Sequence, residues 1–226
     1  TISEFVKENN VDVGFAFDGD GDRVLAVDAN GNIVDGDKIM FILAKHLKEQ
    51  GELKDNMVVS TVMSNIGFYK AIEENGLQSV KTAVGDRYVV EEMRKNDYSL
   101  GGEQSGHIVL MNYATTGDGI LTAVKLASII KSTGKSLEEL ASEVSIYPQK
   151  LVNIKVVDKK TAMEDSDILA ACKKVEKELE DNGRILLRAS GTENLIRVMV
   201  EASTDELTDK YCEQVAKIVR EKFEIK

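Results

Sequence analysis

Residues 57–95, MVVSTVMSNIGFYKAIEENGLQSVKTAVGDRYVVEEMRK, alternate between strand-like and helix-like patterns. Residues 57–62 and 79–84 are rich in β-branched residues, which is typical of strands. Residues 65–75 and 86–95 carry apolar residues at helical spacing. Strand, helix, strand and helix joined by short connections predict an α/β layer in which helices pack on a sheet.

The flanking segments extend this layer in both directions. On the N-terminal side, residues 11–17 and 24–27 are strand-like. Asp37 is expected to cap a helix that ends at Gly51. On the C-terminal side, a turn at Gly101 and Gly102 is expected to precede a further strand and two helices, at residues 108–111, 116–131 and 136–142.

Pro148, the only proline, marks a change from helical to strand pattern and is read as a domain boundary. The segments after it are a strand, a helix, two strands and a final helix, at residues 151–157, 166–181, 184–187, 195–202 and from about 207. The predicted fold is an α/β mixed-sheet domain, followed by a smaller α+β domain whose antiparallel sheet carries two helices on one face. The predicted divisions are residues 1–32, 33–147 and 148–226.

Composition excludes several classes of partner. The 226 residues carry 39 Asp and Glu against 29 Lys and Arg, a formal net charge of −10. Nucleic acids and anionic membranes bind basic faces, so neither is expected as a partner. There is neither an apolar run of roughly 18 residues nor a signal-peptide pattern, so a cytoplasmic location is expected. Cys172 and Cys212 lack CxxC spacing and are expected to be reduced helix residues.

An acidic loop follows the strand at residues 11–17. Asp18, Asp20 and Asp22 alternate with glycines that allow a tight backbone. Carboxylates that converge repel one another, so such a loop needs a cation. Three oxygen ligands with positions left for water or phosphate suit Mg²⁺.

Two other interpretations of this loop stay open. A haloacid-dehalogenase-type phosphatase also begins with a strand and Asp-x-Asp, but Asp22 and Arg23 fall outside that pattern. The loop could also be a plain solvated acidic turn.

A second polar loop, GGEQSGH at residues 101–107, begins with a glycine pair and precedes a predicted strand. Glu103 can accept and Ser105 can donate the hydrogen bonds that a sugar diol requires. His107 could assist proton movement, because a free imidazole titrates near pH 6.5. The alternative is a turn whose polar residues face water.

A third loop, RASGTENLIR at residues 188–197, joins two strands. Two guanidiniums, two hydroxyls and backbone N–H groups can cradle a phosphate dianion. The groups concerned are those of Arg188, Ser190, Gly191, Thr192 and Arg197. The alternative is a polar hairpin with ordinary surface arginines.

Together, DGDGDR at 18–23, GEQSGH at 102–107 and RASGTENLIR at 188–197 resemble the metal, sugar and phosphate loops of the α-D-phosphohexomutase superfamily. The resemblance runs through nearly the whole chain. The motifs GEQSGH and LIRVMVE are similar to those of the branch that acts on hexosamine phosphates. Asn194 stands where the family usually has proline, so a more flexible loop is expected.

The resemblance implies an isomerase that moves a phosphoryl group between two positions of a hexosamine phosphate. It implies Mg²⁺ on the three aspartates, with Arg23 beside the transferring group, and the other polar loops on sugar and phosphate. Family members have four domains and a phosphorylated serine in the first. No such serine loop occurs here, so the chain is expected to act with N-terminal domains that it lacks.

Overall fold

The computed structural model describes residues 1–225 and divides the chain into two units, Thr1–Ser145 and a second that begins at Ile146. The first unit contains the helices α1 (Ile2–Asn9), α2 (Gly36–Glu49), α3 (Ile66–Glu74), α4 (Asp86–Asn96), α5 (Gly119–Thr133) and α6 (Leu137–Ala141). Its strands are β1 (Val13–Phe17), β2 (Val24–Asp28), β3 (Ile33–Val34), β4 (Met57–Thr61), β5 (Gln78–Thr82), β6 (Leu100–Gly102) and β7 (Ile108–Leu110).

Two sheets organise the first unit. Strands β1, β2 and β3 form an antiparallel sheet in that order. The other sheet has the order β5-β4-β6-β7, in which β4 pairs in parallel with β5 and β6, and β7 pairs antiparallel with β6. This sheet is mixed, as predicted.

Alternation along β4 sends its side chains into two different cores. Val58 belongs to the main core, which the apolar face of α2 fills with Ile39, Phe41 and Leu43. Val59, one residue later, belongs to a smaller core beneath α4. The sheet is therefore covered by helices on both faces, as the alternating strand and helix patterns predicted.

The second unit is a three-stranded antiparallel sheet with helices. Its elements are β8 (Gln149–Lys155), α7 (Lys159–Glu164), α8 (Ser166–Leu179), β9 (Gly183–Ala189), β10 (Leu195–Ala202) and α9 (Asp205–Phe223). The strand order is β8-β10-β9. Helices α8 and α9 pack on the face that carries Ile196, Val198 and Val200. The predicted α+β arrangement is confirmed, and α7 is a further short helix that the sequence pattern did not predict.

Three local predictions were wrong. Asp35, not Asp37, caps α2: its carboxylate accepts the Lys38 N–H, whereas Asp37 is buried and accepts the Asn65 N–H. Helix α5 begins at Gly119 rather than near residue 116, because Asp118 is its N-cap.

The third error concerns the glycine pair that was expected to form a turn. Gly101 and Gly102 lie inside β6. A Cβ on Gly101 would stand 2.6 Å from Met93 Sδ, and one on Gly102 would stand 2.5 Å from the His107 carbonyl oxygen. The pair therefore allows close packing over a strand and does not reverse the chain.

Both cysteines are free and buried, Cys172 in α8 and Cys212 in α9. Burial raises the pKa of each thiol to about 11. Neither thiol is therefore appreciably ionised at neutral pH. Within residues 1–225, no helix has the length and apolar character needed to cross a membrane. The division at residues 32 and 33 and the boundary at 148 stay predictions.

Candidate functional site

The acidic loop connects β1 to β2. Asp18, Asp20 and Asp22 each offer a carboxylate oxygen, and these three oxygens lie within 4.8 Å of one another. Gly21 has a φ of 74°, a left-handed conformation that suits glycine and lets the loop turn back on itself. The structure therefore brings the three predicted metal ligands together.

Arg23 partly balances this negative charge. Its Nε lies 3.7 Å from Asp18 Oδ2 and 4.0 Å from Asp22 Oδ1. Desolvation raises the pKa of Asp18, but the Arg23 N–H, a hydrogen bond with Asp22 and the guanidinium charge outweigh it, so this pKa is lowered. Desolvation, and then the hydrogen bond and charge of Asp18, raise the pKa of Asp22. One guanidinium at these distances leaves the loop short of positive charge.

The donor set fits a hard divalent cation. All three groups are carboxylates, and Asp18 and Asp20 are exposed, so that water or a phosphate oxygen could complete the coordination. Mg²⁺ prefers oxygen ligands and keeps several of its waters, which an open loop permits. Asp18, Asp20 and Asp22 are the residues that would hold it.

Backbone hydrogen bonds hold the acidic loop against the glutamate loop, which is the second polar loop at residues 101–107. The Val24 N–H donates to the Gly106 carbonyl over 3.1 Å, and Arg23 and His107 form an isolated antiparallel bridge. The Gly119 N–H donates to the Gly21 carbonyl over 3.0 Å, which ties the same loop to the start of α5. The candidate metal-binding loop and the candidate sugar-binding loop thus lie side by side in the first unit.

Glu103 is fixed within its own loop. Its Oε1 accepts the Gly85 N–H over 3.0 Å, and its Oε2 lies 3.4 Å from Ser105 Oγ. The Gly85 contact brings in the segment before α4, which the sequence did not associate with Glu103. One carboxylate thereby orders two loops.

His107 is buried beneath the acidic loop. Only 3% of the residue is exposed, and its Nε2 lies 3.7 Å from Asp22 Oδ2. Within residues 1–225, its Nδ1 has no hydrogen-bond partner. The ring packs so closely on Gly117 that a Cβ there would stand 2.3 Å from Nε2. A proton-transfer role for His107 stays a prediction, and its ring lies against Asp22 and Gly117.

A cavity of about 430 Å³ opens beside Glu103 and Ser105. Its volume lies within the range of small-molecule sites. The other lining residues are Leu25 of β2, Asp35 at the N-cap of α2, Thr61 at the end of β4, Met63 after β4, Val84 before α4, and Gln104.

In the second unit, Arg188 on β9 lies directly opposite Arg197 on β10. Both project from the face opposite the helices, because their neighbours Leu187 and Ile196 pack into the helix-covered core. Burial and the charge of Arg197 lower the pKa of Arg188. Within the described residues, neither guanidinium pairs with a carboxylate, and Arg197 Nε is buried without a partner. Two adjacent uncompensated guanidiniums are a strong site for an anion.

Hydrogen bonds within the loop and with neighbouring residues order the segment between these arginines. The Ser190 N–H donates to the Leu195 carbonyl over 2.9 Å, and Ser190 Oγ accepts the Glu193 N–H over 3.3 Å. The Asn194 carbonyl accepts the Val156 N–H over 2.9 Å. A Cβ on Gly191 would have no neighbour within 4 Å, so that the loop is open at this residue. The greater flexibility expected from Asn194 stays a prediction.

Lys159, at the start of α7, is a residue that sequence reasoning missed. Its Nζ donates to the Ser190 carbonyl over 2.9 Å and lies 3.4 Å from the Glu193 carbonyl oxygen. It therefore clamps the loop and adds positive charge beside it. The only available signal was a lysine after Asp158, which does not distinguish it from the exposed Lys160.

Lys159→Met is expected to loosen this loop, because it removes charge-assisted hydrogen bonds of about 1–3 kcal/mol. Amide hydrogen exchange of Ser190 and Glu193, whose N–H groups donate within the loop, should accelerate by about tenfold while the strands keep their protection. Lys160→Met removes the same charge one residue away and should change nothing. Equal exchange in the two variants would contradict a clamping role.

Two family comparisons cover most of the chain. The phosphoglucomutase/phosphomannomutase alpha/beta/alpha domain III matches residues 35–147, and the phosphoglucomutase/phosphomannomutase C-terminal domain matches residues 151–218. The chain belongs to the phosphoglucomutase/phosphomannomutase family. The predicted membership of the superfamily is thereby confirmed.

The curated relatives with high sequence identity include phosphoglucosamine mutases. The chain is 62% identical over 222 residues to the phosphoglucosamine mutase of Anoxybacillus flavithermus, covering 98% of this chain and 50% of that protein. It is 58% identical over 219 residues to that of Bacillus subtilis, covering 97% and 49%. The chain thus spans about half the length of the curated relatives it matches.

Solved structures agree on the fold. An Aspergillus fumigatus N-acetylphosphoglucosamine mutase matches with a TM-score of 0.80 at 21% identity, over 97% of this chain and 52% of that one. The same enzyme in complex with GlcNAc-6P and magnesium matches with a TM-score of 0.77 at 22% identity, over the same shares.

Proposed function

We propose that this chain supplies the metal, sugar and phosphate loops of a phosphoglucosamine mutase, which interconverts glucosamine 6-phosphate and glucosamine 1-phosphate. The observation that carries the proposal is the joining of the acidic loop to the glutamate loop through Val24 and Gly106, in a chain 58–63% identical to phosphoglucosamine mutases. That joining supports a single site for metal and sugar. The phosphorylated serine would come from N-terminal domains that the chain does not contain.

The reaction comprises two phosphoryl transfers. The phosphoserine gives its phosphoryl group to the O1 hydroxyl of glucosamine 6-phosphate, which yields a 1,6-bisphosphate and a free serine. The bisphosphate then turns around, and its 6-phosphoryl group returns to the serine, which leaves glucosamine 1-phosphate. Atoms and charge balance over the cycle, and the serine ends phosphorylated as it began.

The residues of this chain have positioning and electrostatic roles in these transfers. Glu103 and Ser105 would hold sugar hydroxyls in either orientation of the ring. Arg188 and Arg197, with the Ser190–Thr192 loop, would hold the phosphate that is not reacting. Arg23 would face the transferring group from the acidic loop.

The cofactor proposed for the acidic loop is Mg²⁺, held by Asp18, Asp20 and Asp22. When bound, it would neutralise negative charge on the transferring phosphoryl group. The proposed setting is the cytoplasm, where the product would enter UDP-N-acetylglucosamine and peptidoglycan synthesis. This chain alone is proposed to be inactive, since the family's phosphorylated serine loop does not occur in its sequence.

The test is a coupled assay of a longer protein that contains this chain, with glucosamine 6-phosphate and with glucose 6-phosphate. We expect turnover of the amino sugar, and we expect Arg188→Met to raise KM by about 10- to 100-fold through the loss of charge-assisted hydrogen bonds. Arg94→Met, on the exposed face of α4, is the matched control and should leave KM unchanged. Faster turnover of glucose or mannose phosphate would instead assign the protein to the phosphoglucomutase/phosphomannomutase branch.

A further inference from the structure

The cavity beside Glu103 has an unusual balance of charge. Two of its lining residues are acidic, Asp35 and Glu103, and none is Lys, Arg or His. The rest of the wall is apolar or neutral. A cavity lined by two carboxylates and no basic residue repels a negative group of a ligand and attracts a positive one.

Asp35 is held in this wall by two hydrogen bonds. Its Oδ1 accepts the Lys38 N–H over 3.2 Å, as N-cap of α2, and its Oδ2 lies 3.3 Å from Gln104 Nε2. The side chain is partly buried, so its orientation is restrained and its charge is incompletely screened.

No cation in the described part of the chain compensates these two acids. Asp35 and Glu103 both accept hydrogen bonds from neutral donors, and neither forms an ion pair within residues 1–225. The carboxylates of Asp35 and Glu103 therefore have no cationic partner within the described residues, and a ligand in the cavity can supply one.

We propose that Asp35 is a specificity-determining residue that selects a hexose carrying a protonated amine over a neutral hexose. The inference rests on the proposed function, since it takes the cavity as the place of the sugar ring. Glucosamine 6-phosphate meets the requirement because its amine is cationic at neutral pH. Glucose 6-phosphate and N-acetylglucosamine 6-phosphate carry no positive charge on the carbon that bears the amine in glucosamine, so they lack the charge–charge attraction to Asp35.

The test compares three sugars on this 226-residue chain by isothermal titration calorimetry, with Asp35→Asn as the variant. Asparagine caps helices as well as aspartate does, so α2 should keep its start. The loss of a charge-assisted hydrogen bond should weaken glucosamine 6-phosphate binding by about 10- to 100-fold. Binding of glucose 6-phosphate, N-acetylglucosamine 6-phosphate and inorganic phosphate should stay within about twofold of the original.

Asp12→Asn is the matched control, because it removes the same charge from an exposed residue before β1. An equal loss for all three sugars in Asp35→Asn would show a structural role and overturn the inference. An unchanged preference for glucosamine 6-phosphate would do the same while leaving the proposed mutase intact. Failure of all three sugars to bind the original chain, with inactivity of the longer protein, would overturn the proposed function as well.

Discussion

Gly106→Ala is expected to destabilise the chain by about 3–5 kcal/mol and to separate the acidic loop from the glutamate loop. A Cβ at this residue would stand 2.2 Å from the Val24 carbonyl oxygen and 2.9 Å from its carbonyl carbon. Both obstacles are backbone atoms of β2, so no side-chain rotation relieves the clash. Forcing a strand and a loop apart in a packed unit costs about 1–3 kcal/mol or more.

The backbone conformation adds to this cost. Gly106 has a φ of 95°, a value that L residues rarely adopt. Left-handed backbone in alanine costs roughly 1–2 kcal/mol. The clash also removes the hydrogen bond from the Val24 N–H to the Gly106 carbonyl, since the two chains cannot stay at 3.1 Å.

Thermal unfolding followed by circular dichroism measures the effect. For a unit of this size the expected loss corresponds to a fall in Tm of about 10 °C. Gly134→Ala is the matched control: Gly134 has a φ of 68° at the end of α5, but a Cβ there would meet nothing within 4 Å. It should show the cost of strain alone, about 1–2 kcal/mol. Equal losses in the two variants would contradict the claim that Gly106 is needed for close approach.

Asp20→Asn is expected to weaken Mg²⁺ or Mn²⁺ binding by at least about 100-fold, the upper range seen when groups that merely support a metal ligand are removed. In the metal-free chain the same change should raise Tm slightly. Arg23 lies near Asp18 and Asp22, whereas Asp20 forms no ion pair within residues 1–225. Its charge therefore adds repulsion without compensation until a cation arrives.

Asp18→Asn is the informative contrast. Asp18 accepts the Arg23 N–H and lies 3.7 Å from the guanidinium, so its loss should weaken the metal-free loop as well as metal binding. Thermal melts in EDTA and in excess Mg²⁺, with a Mn²⁺ titration followed by electron paramagnetic resonance, separate the two quantities. A fall in metal-free Tm for Asp20→Asn, or unchanged Mn²⁺ affinity, would count against the metal site.

Much of this fold could be predicted because its signals are local. The helical spacing of Ile39, Met40 and Leu43 reflects packing of α2 in the main core. The run of β-branched residues at 57–62 reflects a strand that is buried on both faces. The three wrong local predictions concern residue types that occur in more than one kind of local structure. A glycine pair can make a turn or allow close packing, and only the neighbouring Met93 and His107 decide which applies to Gly101 and Gly102.

The site divides in the same way. Asp18, Asp20 and Asp22 are close in sequence, so their convergence could be predicted from the loop itself. The parts that could not be predicted join distant segments, and no sequence spacing encodes them. Lys159 reaches Ser190 across 31 residues, and Asp35 meets Gln104 across 69. Each is an ordinary polar residue until the tertiary fold gives it a partner.

The buried thiols have a practical consequence for spectroscopy. Because Cys172 and Cys212 are buried and their thiols are not ionised at neutral pH, maleimide dyes should react with them only slowly in the native state. One engineered surface cysteine in each unit would then accept a fluorophore with little background, and the native thiols need not be replaced. Energy transfer between two such dyes would report whether the distance between the two labelled residues changes when a phosphosugar is added.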